Sequence, residues 1–161
     1  MRVGIGYDIH RLIPTVERSS IPVGGVPISC FLKIEAHSDG DVLLHAIVDA
    51  CLGSLALGDI GQWFPDTADV NRGRPSSEFL SEVVTHIRRM GWRINQVDST
   101  MFLEEPKLFE HWPRIREHLA KLLDLEMESV SVKAKTMEGM GPVGERKAIA
   151  AQAIVTIQRS H

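Results

Sequence analysis

An aspartate and a histidine stand two residues apart in Tyr7-Asp8-Ile9-His10, and in a strand, where side chains alternate, that spacing turns both toward one face. A carboxylate beside an imidazole can be a ligand pair for a first-row metal ion, although the same spacing taken alone more commonly marks the polar end of a surface strand. His45 adds a third group. It lies in the run Asp41 to Leu57, where Val42, Leu43, Leu44, Ile47, Val48, Cys51, Leu52 and Leu55 cover almost the whole circumference of a helix, so the imidazole is expected to be buried and must have a partner. A neighbouring carboxylate is the commoner partner, and Asp41 and Asp49, four residues to either side on the same helix face, are the candidates for orienting it. Joined to Asp8 and His10, His45 makes an Asp/His₂ set with the fourth position open, as catalytic zinc keeps it.

Three loops carry further polar groups. His37-Ser38-Asp39-Gly40-Asp41 precedes the buried helix, where Asp41 can cap it and free N–H groups can meet an anion, or serve only as a helix entry. Gly58 to Thr67 holds two glycines and two acids beside Trp63 and Phe64, which either pack down or cover a ligand. Lys133-Ala134-Lys135-Thr136-Met137-Glu138-Gly139-Met140-Gly141 sets cations, a hydroxyl and a carboxylate where a strand gives way to a glycine-rich turn, which suits a phosphate with a hard cation such as Mg²⁺ and also an ordinary loop.

Positioning these groups requires strands and helices in alternation. Residues 2 to 10 alternate as a strand, Ile21 to Ser29 with Gly24-Gly25 reads as a short hairpin, and the helix from Asp41 closes at Gly58. Phe64 to Pro75 reads as a long exposed loop. A second helix capped by Ser76 or Ser77 runs to about Met90, and Trp92 to Leu103 returns as a strand. A third helix after Pro106 uses Leu108, Phe109, Trp112, Ile115, Leu119, Leu122 and Leu123, before strands at Ser129 to Lys135 and Ala148 to Gln158. The expected class is an α/β or α+β sandwich, one mixed sheet packed on helices, in a single domain spanning residues 1–161. With 18 basic against 21 acidic residues and a formal charge of −3, there is no electrostatic footprint for nucleic acid or an anionic membrane. No apolar run reads as a bilayer span, and Cys30 and Cys51 share no C-x-x-C spacing, which suits buried thiols and a cytoplasmic address.

Five motifs in order resemble one family: G-Y-D-I-H-R-L at 6–12, H-S-D-G-D-V-L-L-H-A at 37–46, L-G-D-I-G-x-x-F-P-D-T at 57–67, E-x-P-K-L at 104–108 and V-K-A-K-T-M-E-G-M-G at 132–141. Together they resemble the 2-C-methyl-D-erythritol 2,4-cyclodiphosphate synthases of the non-mevalonate route to isoprenoid precursors. The resemblance implies that Asp8, His10 and His45 bind zinc, and that Glu138 binds a second divalent cation, Mg²⁺ or Mn²⁺, beside a phosphate-contacting Thr136. It implies that His37 and Ser38 orient the methylerythritol phosphate end and that Asp66 binds a substrate hydroxyl. Asp59 and Gly61 match ribose contacts, and Pro106, Lys107, Leu108 and Ala134 match the cytidine pocket. It also implies a homotrimer with sites between subunits, acting on a cytidine diphosphate substrate. The chain departs from the family pattern at Lys135 and Met137, where hydroxyl residues are common, and at Gly144-Glu145-Arg146-Lys147-Ala148, in place of G-R-G-E-G. Two rival functions share these residues: a zinc phosphoester hydrolase, which would activate water at the same open site, and a CDP-binding module without turnover.

Overall fold

The computed structural model describes residues 1–160. Strand β1 (Arg2–Val23) turns back into β2 (Val26–Glu35) through Gly24-Gly25. Both glycines have positive φ, +59° and +78°, the requirement of a type I′ turn, whose twist matches the strands it joins. One long hairpin thus replaces the expected separate strand and short hairpin. The intervening polar stretch hid it: between the pairs Pro14↔Leu32 and Ser19↔Cys30, residues 15–18 bulge out opposite Phe31 alone.

Strands β3 (Trp92–Phe102), β4 (Val130–Lys135) and β5 (Ala148–Arg159) complete one five-stranded sheet in the order β2-β1-β5-β3-β4. Only the β3–β4 pair is parallel, so the sheet is mixed as expected. Helices α1 (Val42–Ser54), α3 (Ser76–Arg89) and α4 (Trp112–Leu123) cover one face, and short turns of helix lie at α2 (Ile60–Trp63) and α5 (Gly141–Gly144). The core fills the space between sheet and helices, with Ile21, Ile28, Leu43, Leu44, Ile47, Leu52, Leu80, Ile87, Met101, Ile115 and Leu119 fully buried.

Helix α1 lies unusually close to β1, and glycine is the reason. A Cβ on Gly4 would fall 1.9 Å from the Ala50 carbonyl oxygen, and one on Gly6 2.0 Å from that of Ala46. With hydrogen at those positions, the helix backbone rests on the strand backbone, which draws His45 down over Asp8 and His10 at the end of the same strand face. The alternate residues Val3, Ile5, Tyr7 and Ile9 point the other way and are exposed, as is Ile154 paired with Ile5. The apolar half of the alternation therefore lies on the open face, not in the core.

Three element ends differ from expectation. Helix α1 stops at Ser54, a turn before Leu57, because Ala56 adopts a left-handed conformation (φ +57°). Helix α3 is preceded by Pro75, and Ser76 is its first helical residue instead of its cap. Helix α4 begins at Trp112 after a 3₁₀ turn at Phe109–His111, leaving Phe109 exposed instead of on the apolar face. The segment expected as a long loop after Phe64 is pinned back, since Asn71 Nδ2 donates to the Pro65 carbonyl and the Gly73 N–H to that of His37.

Candidate functional site

Asp8 and His10, two apart on β1, turn to the helix-covered face and meet His45 from α1. Asp8 Oδ2 lies 2.9 Å from His45 Nδ1 and 3.0 Å from His10 Nε2, and the two ring nitrogens are 3.2 Å apart. Three atoms that are all electron-pair donors when deprotonated have no reason to converge unless a proton or a metal ion stands among them. A tetrahedral ion with bonds of about 2.1 Å separates its ligands by roughly 3.4 Å, so the spacing and the Asp/His₂ donor set both fit a metal of the zinc type. Without one, the triad holds a proton. Burial acts to raise the Asp8 carboxyl, but hydrogen bonds and charge from His10 and His45 override it and hold it well below the usual carboxylate range. Burial acts to lower His45, and the hydrogen bond and charge of Asp8 override that in turn, holding it above an ordinary imidazole.

The triad lines a cavity of about 300 Å³, with His37, Ser38, Gly61 and Asp66 on its walls and Phe64 and Phe79 as apolar neighbours. Phe64 and Phe79 stack at 4.4 Å, so Phe64 packs down while still bordering the cavity. Asp59 caps the short helix α2 through the Gln62 N–H at 2.9 Å.

Neither carboxylate expected to orient His45 does so. Asp41 is the N-cap of α1 and is fully buried, and its carboxylate accepts from the N–H groups of Gly24, Gly25 and Leu44, fastening the hairpin turn to the helix start. The Asp49 carboxylate accepts from Ile60 N–H at 2.7 Å, holding the start of α2. Four-residue spacing placed both near His45 along the helix, but backbone N–H groups claim them. The groups that do meet the outer nitrogen of His45 are Ser76 Oγ, 2.8 Å from Nε2, and Ser38 Oγ, at 3.2 Å. Ser76 in turn is bound by Asp39, which accepts from its hydroxyl and, at 3.0 Å, from its N–H. Asp39 therefore caps α3 from a distant segment, and nothing in local spacing signals that pairing.

The remaining sequence candidates lie elsewhere. Pro106, Lys107 and Leu108 follow β3, Ala134 is near the end of the edge strand β4, and Thr136 and Glu138 are in the loop after it. None of them lines the cavity at the triad. Leu108 is buried and Lys107, Ala134 and Glu138 are exposed. Thr136 Oγ1 donates to Glu138 Oε1 at 2.6 Å, and Glu104 holds the loop through the Met137 N–H. From β1 to β4 the sheet steps across β5 and β3, about 14 Å at ordinary strand spacing. Cys51 is buried and its thiol is pushed up to about 12 by that burial, and Cys30 is also free. Among the described residues no helix is long and apolar enough to cross a membrane.

Known proteins resemble this chain over nearly its whole length. The YgbB family model matches residues 1–158. The 2-C-methyl-D-erythritol 2,4-cyclodiphosphate synthase of Syntrophomonas wolfei is 47% identical over 160 residues, covering 99% of this chain and 100% of its own. Among solved structures, IspF of Plasmodium falciparum in complex with CDP has a TM-score of 0.86 at 33% identity, covering 99% of this chain and 97% of that one. A CDP-bound 2C-methyl-D-erythritol-2,4-cyclodiphosphate synthase has a TM-score of 0.89 at 33% identity, covering 98% of this chain and all of its own.

Proposed function

The chain belongs to the YgbB family, and we infer from that membership what its site does: it converts 4-diphosphocytidyl-2-C-methyl-D-erythritol 2-phosphate to 2-C-methyl-D-erythritol 2,4-cyclodiphosphate with release of CMP, a phosphorus–oxygen lyase reaction of isoprenoid precursor biosynthesis. The observation that carries this reading is the convergence of Asp8, His10 and His45 at a cavity, in a chain matching such synthases end to end.

In the reaction an oxygen of the substrate's own 2-phosphate attacks the β-phosphorus. That P–O bond forms as the bond from the β-phosphorus to the α–β bridging oxygen breaks, and CMP leaves with the bridging oxygen and its charge. The attacking oxygen is already an anion, so the protein needs neither a nucleophile nor a strong base; its task is alignment and charge stabilisation. Asp8, His10 and His45 would hold zinc and Glu138 a second divalent cation, Mg²⁺ or Mn²⁺, which together would supply Lewis-acid polarisation of the diphosphate. His37 and Ser38, on the cavity wall, orient the phosphate end of the methylerythritol, and Asp66 accepts from one of its hydroxyls. Asp59 and Gly61 meet the ribose. Pro106, Leu108 and Ala134 form the cytidine pocket, where Lys107 offsets phosphate charge, and Thr136 donates to a phosphate oxygen.

The working unit we propose is a homotrimer in which the zinc half of one chain meets the cytidine half of the next. Two observations support it. The triad on β1 and the residues at and after β4 are three strands apart in the sheet, and among the described residues the cytidine group does not line the triad's cavity. The open sheet face also exposes Val3, Ile5, Tyr7, Ile9 and Ile154, an apolar row that a subunit contact would cover. The test is CMP release from the substrate in ¹⁸O-labelled water. Cyclisation yields CMP and a cyclic diphosphate without solvent oxygen, whereas label in the product would identify a hydrolase and binding without CMP release a nucleotide-binding module.

A further inference from the structure

We infer that Ser76, oriented by Asp39, is a positioning residue for the metal site: it accepts a hydrogen bond from the Nε2–H of His45 and so leaves Nδ1 as the nitrogen that binds the ion. The argument is one of proton counting. Both oxygens of Asp39 are already acceptors, Oδ1 from the Ser76 hydroxyl and the Asp41 N–H, Oδ2 from the Ser76 N–H. The single hydroxyl proton of Ser76 is therefore committed to Asp39, and its Oγ can only accept from His45 Nε2 at 2.8 Å. That nitrogen must carry the proton. Nδ1, which faces Asp8 and His10, is then the nitrogen that gives up its proton and offers its lone pair to an ion.

Placement makes the relay rigid. Ser76 is fully buried and opens α3, and Asp39 binds its backbone as well as its hydroxyl, so the acceptor cannot swing away from the ring. Ser38 Oγ also lies within 3.2 Å of Nε2, but it accepts from the Gly40 N–H and, among the described residues, no carboxylate fixes its hydroxyl. The loop before α1 thus divides its labour: Asp39 braces the metal ligand and Ser38 stays available to the substrate. Such outer partners of a metal-bound histidine set its tautomer and orientation, and their loss costs about 10- to 100-fold in metal affinity or activity.

This inference rests on the reading of Asp8, His10 and His45 as the metal ligands, so the experiment separates the two. Zinc dissociation constants of the full-length protein would be measured by chelator competition for wild type, His45→Ala, Ser76→Ala, Ser76→Thr, Asp39→Asn and Ser38→Ala. Histidine ¹⁵N NMR on the zinc-loaded proteins would report the nitrogen that carries the proton. The expected result is a slowly exchanging Nε2–H on His45 in wild type and a loss of zinc affinity of about 10- to 100-fold in Ser76→Ala with faster exchange of that proton. Ser76→Thr, which keeps the hydroxyl, recovers most of the affinity. Asp39→Asn, which leaves Ser76 in place, weakens zinc by a smaller factor and supplies the answer if Ser76→Ala does not fold. Zinc affinity within twofold of wild type in Ser76→Ala, or in Asp39→Asn when that is the folded variant, overturns the assignment. So does zinc on Nε2, or a loss in Ser38→Ala as large as in Ser76→Ala. Undiminished zinc in His45→Ala overturns the metal-site reading itself.

Discussion

Both ring nitrogens of His45 are engaged by neighbours in the same chain, whereas Lys107 and Glu138 stand exposed and, among the described residues, only a hydroxyl from Thr136 reaches the Glu138 carboxylate. The difference follows from where each group sits in the fold. The triad is made where a glycine-bearing strand lets a helix come down onto the sheet, so β1, α1 and the start of α3 converge and every buried polar group must find a partner away from water. The proposed nucleotide half lies three strands away, in the segment after β3 and on the edge strand β4 with the loop that follows it, where β4 pairs with β3 on one side and Lys107, Ala134 and Glu138 are exposed. A site half that is complete in one chain is pre-organised for its ion. A half that is open in one chain is suited to be completed by a neighbour.

The sharpest way to break that contrast is to remove one group from each half and count zinc. His45→Ala should take zinc from about one ion per chain to none and lower turnover by roughly a thousandfold or more, since metal polarisation supplies several kcal/mol of charge stabilisation. Glu138→Gln should also lower turnover, by more than it lowers CDP affinity measured without divalent cation, while zinc content stays at the wild-type value. Zinc loss in Glu138→Gln would mean that the two halves are one cluster. Metal analysis and CMP release on the same preparations decide it.

What the sequence disclosed follows the same division. Asp8 with His10, and His45 in its apolar helix, were legible because period-two and helical geometry are local rules, and the mixed sheet followed from alternating elements. The outer support of His45 was not legible. Asp41 and Asp49 had the right spacing, yet backbone N–H groups from the hairpin turn and from α2 claim them, while the true partner, Ser76, arrives from 31 residues away. The exposed row Val3, Ile5, Tyr7, Ile9 was visible as an alternation, but periodicity cannot say which face is the core. Gly4 and Gly6 settle that question once the helix is seen lying against them.

Complementation tests whether the open half is finished by a neighbour. Subunits carrying His45→Ala would be co-refolded with subunits carrying Lys107→Glu, neither of which turns over alone. With random mixing of equal amounts, a sound zinc half meets a sound cytidine half in about one quarter of the interfaces of a ring, so about a quarter of wild-type activity should return. Mixed assemblies, verified by mass, that stay at the parental background would place both halves on one chain.

A smaller effect is expected at the contact that makes the metal half compact. Gly6→Ala puts a methyl 2.0 Å from the Ala46 carbonyl oxygen, a backbone atom one residue from His45, so the helix must move. Overpacking of this kind costs about 1–3 kcal/mol, read as a lower urea midpoint, and zinc affinity should fall with it. An unchanged midpoint with unchanged zinc would show that α1 can ride away from β1 without disturbing the triad.

The smallest effect is predicted at Asp49, and its sign follows from burial. The folded-state carboxyl of Asp49 is raised above its ordinary value, chiefly by burial, which the hydrogen bond from Ile60 N–H offsets only in part. A group whose folded pKa exceeds its unfolded one takes up its proton more readily when folded, so its contribution to stability is fully present below the unfolded value, about 3.9, and is lost as pH rises through the folded value. At neutral pH the charge is therefore a liability that Asp49→Asn removes while keeping an oxygen for Ile60. The variant should lie within about 0.5 kcal/mol of wild type at pH 7, with zinc affinity unchanged. As pH falls toward 4, the wild type should gain on the variant, as read from urea unfolding of both zinc-free proteins. A loss of zinc affinity of about tenfold or more in Asp49→Asn would reinstate it as a residue that orients His45. A wild type that instead loses ground to the variant on acidification would show that the Ile60 hydrogen bond outweighs burial and holds Asp49 as a stabilising carboxylate.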